Sequence, residues 1–417
     1  MPLAERLFSE LRQRTRDGRG VSREPYTAAE QVAHDLLAEA ARTLDLEITV
    51  DPYGNLYMTL PGRDRGAARW IAGSHLDSVP CGGNYDGAAG VVAGIAAVAA
   101  FRKLDIVPAR NISVMGIRAE EVSSWFGGNH NGHFGARSAL GRLPRDELLS
   151  AVNTSSGATL AEQMKRAGFD PDAVGSGAAY LQAPAIHGYL ELHIEQGPVL
   201  EQRGLPVGVV TAIRGAARAR NARCLGEYTH SGAVPHEFRA DAVLATAELL
   251  HELDAAWARV RAEGGDLVFT VGKLYTDARL HSLTKVPGET QFTIDFRSQD
   301  EALLRRVSAL AHRLAGEIGA RRRVRFQLGE FDVHQPALMD AAYRETLNAG
   351  CGELGIPAMD IPSGAGHDAQ DFALAGVRAA MIFVRNSHGS HNPDEAMDMR
   401  DFMLGTQLLA WKLAEDM

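Results

Sequence analysis

Gly73-Ser-His-Leu-Asp-Ser-Val-Pro-Cys-Gly-Gly-Asn-Tyr-Asp-Gly87 is the stretch that decides the fold class. A short apolar run, Trp70-Ile71-Ala72, feeds a Gly-rich loop carrying one imidazole and two carboxylates. His75 and Asp77 stand at i and i+2, so on an extended strand end they point the same way. Asp86 comes after Gly82-Gly83, where permissive backbone lets the loop fold back over that end. The small apolar run Gly87–Ala100 predicts a helix packed closely on a sheet. Strand, liganding loop and helix in that order present a site at the carboxyl ends of an open α/β sheet. An H-x-D pair also occurs in ordinary Asx-turn loops, so the later carboxylates must separate a site from a solvated loop.

Those carboxylates follow. Asn111-Ile-Ser-Val-Met-Gly-Ile117 predicts the next buried strand, ending in Arg118-Ala-Glu-Glu121. Adjacent acids past a strand cannot point the same way, which suits two jobs: one binds a metal while its neighbour takes a proton from water. His187-Gly-Tyr-Leu-Glu-Leu-His-Ile-Glu-Gln-Gly197 predicts a strand with Glu191, His193 and Glu195 on one face. After the apolar strand Ala379–Val384 comes Ser387-His-Gly-Ser-His-Asn-Pro-Asp-Glu395. The constellation is therefore His75, Asp77, Asp86, Glu120, Glu121, His193 and a late histidine, His391 or His388. Imidazoles and carboxylates without thiolates suit Zn²⁺, Mn²⁺ or Co²⁺. There are enough donors for two ions, with Asp86 a natural bridge and Asp77 holding His75 in one tautomer.

Outside these loops, Leu3–Arg16 and Thr27–Leu44 have helical spacing, and Leu46–Val50 and Asn55–Leu60 alternate like paired strands around Asp51-Pro-Tyr-Gly54. At Arg214-Gly215 the texture changes. Strands at Ala216–Leu225, Leu267–Leu274 and Thr290–Arg297 alternate with helices at Ala240–Glu263 and Glu301–Gly316. That order predicts an α+β insert of about 115 residues. The α/β pattern resumes through Gln335-Pro336 and a helix at Ala337–Leu354. The expected fold is α/β: a mixed-sheet catalytic domain with helices on both faces, residues 1–213 and 331–417, interrupted by the insert, residues 214–330.

Composition bounds the function. At 417 residues the chain exceeds what one core usually holds, in line with two domains. Lys+Arg 43 against Asp+Glu 52 gives −9, which disfavours nucleic acid and anionic membrane as partners. The dense basic cluster, Arg321-Arg322-Arg323 with Arg325, reads as the solvated face of a strand. Three distant cysteines, Cys81, Cys224 and Cys351, suit a reducing cytosol. With no apolar run of spanning length, the expectation is a soluble, cytoplasmic protein.

These motifs resemble the M20 family of metal-dependent amidohydrolases and peptidases, in particular its hydantoinase/carbamoylase branch. The resemblance rests on Gly73-Ser-His-Leu-Asp-Ser-Val-Pro80, Gly83-Asn-Tyr-Asp-Gly87, Glu120-Glu121 and His193-Ile-Glu-Gln-Gly-Pro-Val-Leu-Glu201. It continues through Gly364-Ala-Gly-His-Asp-Ala369 and Ser390-His-Asn-Pro-Asp-Glu395. It implies that His75, Asp86 and His193 hold one divalent ion and Asp86, Glu121 and His391 a second, with Glu120 as general base and then acid. The insert is implied to be a lid and homodimerisation domain. His230, in Thr229-His-Ser-Gly232, is implied to reach the neighbouring subunit's site and steady an oxyanion there. Gln196 matches a substrate-contacting glutamine, and Arg297 an arginine that grips a substrate carboxylate.

The chain departs from that pattern near the substrate. Val122-Ser-Ser-Trp-Phe126 replaces Gly-Ser-Arg-Phe, Thr284-Lys285 stands where an asparagine is usual, and Ala233-Val-Pro-His236 replaces Thr-Thr-Pro-Met. Trp125, Thr284 and His236 thus become candidate substrate contacts, or neutral changes on the rim. The resemblance implies hydrolysis of a linear amide or carbamoyl (ureido) C–N bond in a small molecule. Rival readings are an M20 aminoacylase or dipeptidase, an enzyme hydrolysing an aromatic amine, or a non-catalytic binding protein. Release of ammonia with CO₂ separates the first reading from the others.

Overall fold

Apolar runs bounded by turn residues build a mixed sheet from β1 (Glu47–Val50), β2 (Leu56–Leu60), β3 (Arg69–His75), β4 (Ile112–Ile117), β5 (Ile186–Ile194), β6 (Val207–Ile213), β7 (Ala358–Ser363) and β8 (Ala379–Val384). This is a computed structural model, and it describes residues 2–415 other than 129, 175 and 177. Two compact units emerge: one runs to Thr211 and resumes at Leu338, and the other is Ala212–Ala337.

In the first unit the strands lie in the order β6-β8-β5-β3-β4-β2-β1, with β7 paired to β6. The central four, β8, β5, β3 and β4, are parallel. Their interiors are nearly all buried, which explains why they read as apolar runs rather than alternating ones. The register levels their carboxyl ends: His75 lies opposite Ile117, and His193 opposite Phe383. From β3 the chain passes through helix α1 (Ala88–Lys103) to β4 on one side, then crosses to β5 on the other. That reversal opens a crevice at the end of β3.

Helices cover both faces. Helix α1 shares one core with Ala72, Val114, Leu190 and Leu192 and with Phe402, Leu408 and Leu409 of α3 (Met399–Leu413). On the other face Tyr189 stacks on Phe372 of α2 (Asp368–Leu374), ring centroids 3.8 Å apart. The small residues of α1 are needed for close approach, since a Cβ on Gly90 would lie 2.5 Å from the Leu192 carbonyl oxygen.

One polar tie runs through this unit. Arg118, just past β4, is buried and pairs with buried Glu30, while its Nε donates to the Gly54 carbonyl at 2.8 Å. Burial pushes the Glu30 carboxyl up to about 7 even against the pull of Arg118. Arg118→Met should therefore destabilise the chain by about 3–5 kcal/mol, because one buried charge loses its partner. Urea unfolding checks this; a change below about 1 kcal/mol would show that the pair is dispensable.

The second unit stands by itself. Glu289–Ser298 alternates strictly between half-exposed and buried positions and pairs with the long strand Gly215–Leu225. Phe292, Ile294 and Phe296 face helices Ala242–Ala262 and Glu301–Arg322 in one core. Two expectations need correction. Leu267–Leu274 is not one strand but two short ones, Val268–Thr270 and Leu274–Tyr275. Arg321 and Arg322 form no strand face; the helix continues past Gly316, and they close its last turn, where cations offset the helix dipole, paired with Glu248. Among the described residues no helix is long and apolar enough to cross a membrane.

Candidate metal centre

Each candidate ligand leaves the carboxyl end of a parallel strand. His75 closes β3, Glu120 and Glu121 follow β4, His193 lies at the end of β5, and His391 follows β8. Asp86 hangs in the loop between β3 and α1. Its Oδ1 is 3.4 Å from His75 Nε2 and 3.2 Å from His193 Nε2. Its Oδ2 is 3.4 Å from His391 Nε2, which in turn lies 2.9 Å from Glu121 Oε1. Two donor groups therefore share Asp86: His75 with His193, and Glu121 with His391, all ligand atoms in each group within 4.8 Å of one another.

Two further groups meet that distance. One joins His75 with Glu120 and Glu121; the other joins Glu191, His193 and His367. Glu191 is already occupied, with Ser74 Oγ donating to one oxygen at 2.6 Å and the Ala369 amide to the other at 2.8 Å. The groups around Asp86 are the better cation site. Asp86 Oδ1 is buried and, between two imidazoles, has no hydrogen-bond donor. A buried carboxylate oxygen is rarely left so, and a cation satisfies it.

Neighbours set the tautomers. His193 Nδ1 donates to the Ile194 carbonyl at 2.8 Å, leaving Nε2, which accepts the Gly87 amide at 3.1 Å, as the unprotonated nitrogen. His75 Nδ1 lies 3.1 Å from the Asp77 carbonyl and 3.5 Å from its carboxylate, which turns Nε2 toward Asp86. The Asp77 carboxylate also accepts the amides of Glu120 and Glu121 at 3.1 and 2.8 Å, clamping the β3 loop to the end of β4. Glu395 supports Asp86 from behind, accepting the Tyr85 amide at 2.8 Å, and the one Ser390 hydroxyl hydrogen is shared between Glu395, 2.7 Å away, and Asp86.

The field is strongly negative. Hydrogen bonds that it donates to Asp86 and Glu121 raise the His391 imidazole to about 10. Burial raises the Glu120 carboxyl well above the usual range, helped by the charges of Glu121, Asp368 and Asp77 and opposed by His75. A potential that holds protons this firmly also holds a divalent cation. The backbone is bent to suit: Ala119, Gln196 and His391 all have left-handed φ, at 55°, 62° and 60°.

Gly87 shows how tight the fit is. Its φ is 65°, and a Cβ there would lie 2.4 Å from the His75 ring. Gly87→Ala should cost about 1–3 kcal/mol by overpacking and lower the calorimetric unfolding midpoint by several degrees; an unchanged midpoint would mean the ring moves freely.

The remaining sequence candidates sit as follows. Gln196 donates to Asp86 Oδ2 at 2.8 Å while its own Oε1 is buried without a partner. The Trp125 indole donates to the Ser78 carbonyl at 2.7 Å, in the loop after β3, and its ring packs on the apolar cluster that includes Val122 and Phe126. In the insert unit, His230 Nδ1 accepts the Gly232 and Ala233 amides, each at 3.1 Å, so its hydrogen sits on Nε2. Thr284 accepts the Ser231 amide at 2.9 Å through its carbonyl. Arg297 donates to Asp295 at 3.1 and 3.0 Å, and His236 opens a short 3-10 turn. His388 is the histidine that the structure does not bring to Asp86 or Glu121.

Sequence reasoning missed His133 and Asp371. His133 Nε2 is 3.2 Å from Glu120 Oε1, and its Nδ1 is 2.7 Å from Asp371 Oδ2. Neither lies in a strand-end motif.

Residues 71–413 match the profile of Peptidase family M20/M25/M40. The chain is 34% identical to the N-carbamoyl-L-amino acid amidohydrolase of Geobacillus stearothermophilus, covering 99% of this chain and 98% of that one. It is 31% identical to the allantoate amidohydrolase of Bacillus subtilis (strain 168), covering 95% and 93%. Among solved structures, a hydantoinase/carbamoylase family amidase from Burkholderia multivorans superposes with a TM-score of 0.87 at 28% identity, covering 99% and 97%. With its strand-end ligand groups and these matches over nearly its whole length, the chain belongs to the M20 family, in its hydantoinase/carbamoylase branch, and is a hydrolase of C–N bonds other than peptide bonds.

Proposed function

We propose that the protein hydrolyses the carbamoyl (ureido) group of a small acid, with an N-carbamoyl-L-amino acid as the foremost substrate class. The observation that carries this reading is Glu120. Its carboxylate lies 4.0 Å from His75, yet it belongs to neither of the groups that share Asp86. The names of the relatives, which act on N-carbamoyl amino acids and allantoate, point to the ureido group.

His75, Asp86 and His193 would hold one divalent ion and Asp86, Glu121 and His391 a second. Zn²⁺, Mn²⁺ or Co²⁺ in these positions supplies Lewis acidity toward the carbonyl and toward water. Glu120, made more basic by burial, takes a proton from the attacking water and returns it to the departing nitrogen. His230 presents Nε2–H as a donor for the developing oxyanion, and Arg297 would turn its planar fork from Asp295 to the substrate carboxylate. Gln196, with its free Oε1, accepts from the substrate's terminal amide. For an N-carbamoyl acid, one water yields the free amine, CO₂ and ammonia.

Residues 214–330 act as the lid and join two chains as a homodimer, and the three free cysteines fit the cytoplasm. If His230 works across subunits, His230→Ala should lose about 10²–10³ in kcat, and mixing it with a Glu120→Gln chain should restore part of the activity in mixed dimers. No recovery on mixing would place His230 in its own chain's site.

The test of the whole is a panel of N-carbamoyl, N-acyl and ureido compounds against metal-reconstituted enzyme, with ammonia scored. Ammonia from N-carbamoyl acids is expected. Turnover of N-acyl compounds alone, without ammonia, would replace this reading with an aminoacylase.

A further inference from the structure

Glu120 is held by two side chains that the proposed reaction leaves unused. His133 bridges Glu120 Oε1, 3.2 Å from its Nε2, and Asp371 Oδ2, 2.7 Å from its Nδ1. The three side chains are only 9%, 12% and 9% exposed. Water competes little for contacts this deep, so they are stronger than the same contacts at a surface.

The ring is placed by its surroundings. His133 has φ 53°, a left-handed conformation that a residue of its size seldom adopts. Its amide donates to the Glu120 carbonyl at 3.2 Å, and the next two amides, Phe134 and Gly135, donate to Ala119 and Arg118 at 2.9 and 3.0 Å. The chain is thus laid back along the segment that carries the base. From the other side, a Cβ on Gly366 would lie 2.7 Å from His133 Nε2, so that glycine leaves the room the imidazole fills. Asp371 sits on α2, which packs on β5 and β8. Glu120, His133 and Asp371 therefore form a chain of contacts crossing three separate segments.

The chemistry of that chain is directional. Ionised Asp371 and Glu120 can both only accept, so a ring that bridges them carries a hydrogen on each nitrogen, Nδ1–H toward Asp371 and Nε2–H toward Glu120. With Oε1 held by His133, Oε2 is the oxygen left facing His75. We propose that His133, oriented by Asp371, is a positioning residue for Glu120, locking its carboxylate so that Oε2 is presented to the attacking water. This rests on the assignment of Glu120 as the base. It is the relation of an orienting acid to an imidazole to a reacting group, with a carboxylate in the last place.

The experiment uses the full-length, metal-loaded enzyme and the best substrate of the panel above. His133→Gln, His133→Ala, Asp371→Asn, Glu120→Gln and the double variant His133→Ala/Glu120→Gln are compared for kcat, KM and metal content by elemental analysis. Both His133 variants should lose on the order of ten- to hundredfold in kcat, the worth of a hydrogen bond to a charged group. KM and metal content should stay within about twofold of wild type, because uniform binding is untouched. Asp371→Asn should fall in the same direction by less. In the Glu120→Gln background His133→Ala should cause no further loss, since it acts only through that carboxylate.

Wild-type kcat in both His133 variants overturns the proposal, as do losses that add in the double variant. Metal lost from His133→Gln, the less disruptive change, also overturns it by making the ring a support for the ligands. An active Glu120→Gln would instead remove the base assignment. An inactive Glu120→Gln beside fully active His133 variants removes only the positioning role.

Discussion

Glu120→Gln is expected to lower kcat by on the order of 10²–10⁴, the usual worth of a general acid–base group, while metal content and KM stay near wild type. The amide keeps the size and the contact with His133, and it leaves both ligand groups that share Asp86 intact. What it removes is the ability to accept a proton. Burial and the neighbouring charges of Glu121, Asp368 and Asp77 hold the Glu120 carboxyl well above its ordinary range, so a neutral side chain suits this pocket. Stability should therefore hold or rise while turnover collapses. Steady-state kinetics together with elemental analysis check the split. Loss of metal would exchange the roles of Glu120 and Glu121.

Asp86→Ala should be as damaging for a different reason. Both donor groups meet at this carboxylate, so its removal weakens both sites at once. Replacing a residue that merely orients a ligand costs about 10–100-fold in metal affinity, and losing a shared ligand should exceed that. The change also strips Gln196 of its acceptor and leaves Ser390 only Glu395. After dialysis the variant should retain less than one ion per chain and no measurable turnover, whereas wild type retains its full complement. Full metal retention in Asp86→Ala would break the bridging assignment.

The strand-end acids and histidines could be read from sequence because their chemistry is out of place next to apolar runs. His75 and His193 stand within buried strands and Glu120 just past the end of one, where an apolar run gives no reason for them. The parallel centre was legible for the same reason: runs such as Asn111–Ile117 and Ala379–Val384 lack the alternation of a half-exposed strand. What escaped were contacts made across the chain. His133 lies beyond a short turn and Asp371 on a short helix, and nothing local ties either to Glu120. The arginines at 321 and 322 were misplaced because a basic run carries no periodicity, and only Glu248 on the neighbouring helix gives them a task. Trp125 read either as a pocket-shaping change or as a neutral one, and the structure adds that its indole donates to the Ser78 carbonyl. A single sequence does not distinguish a residue that faces substrate from one that faces the back of the loop.

The left-handed corners at Ala119, Gln196 and His391 carry a consequence for anyone seeking a hardier enzyme. Each holds its loop about 1–3 kcal/mol uphill of relaxed backbone, with the sheet supplying the restraint. A selection for heat tolerance alone would be drawn to glycine or asparagine at all three corners. At 196 and 391 such gains would cost side chains to which the proposed reaction assigns a role. At 119, where only a methyl group is lost, the relief of strain takes away no side chain that the proposed reaction uses.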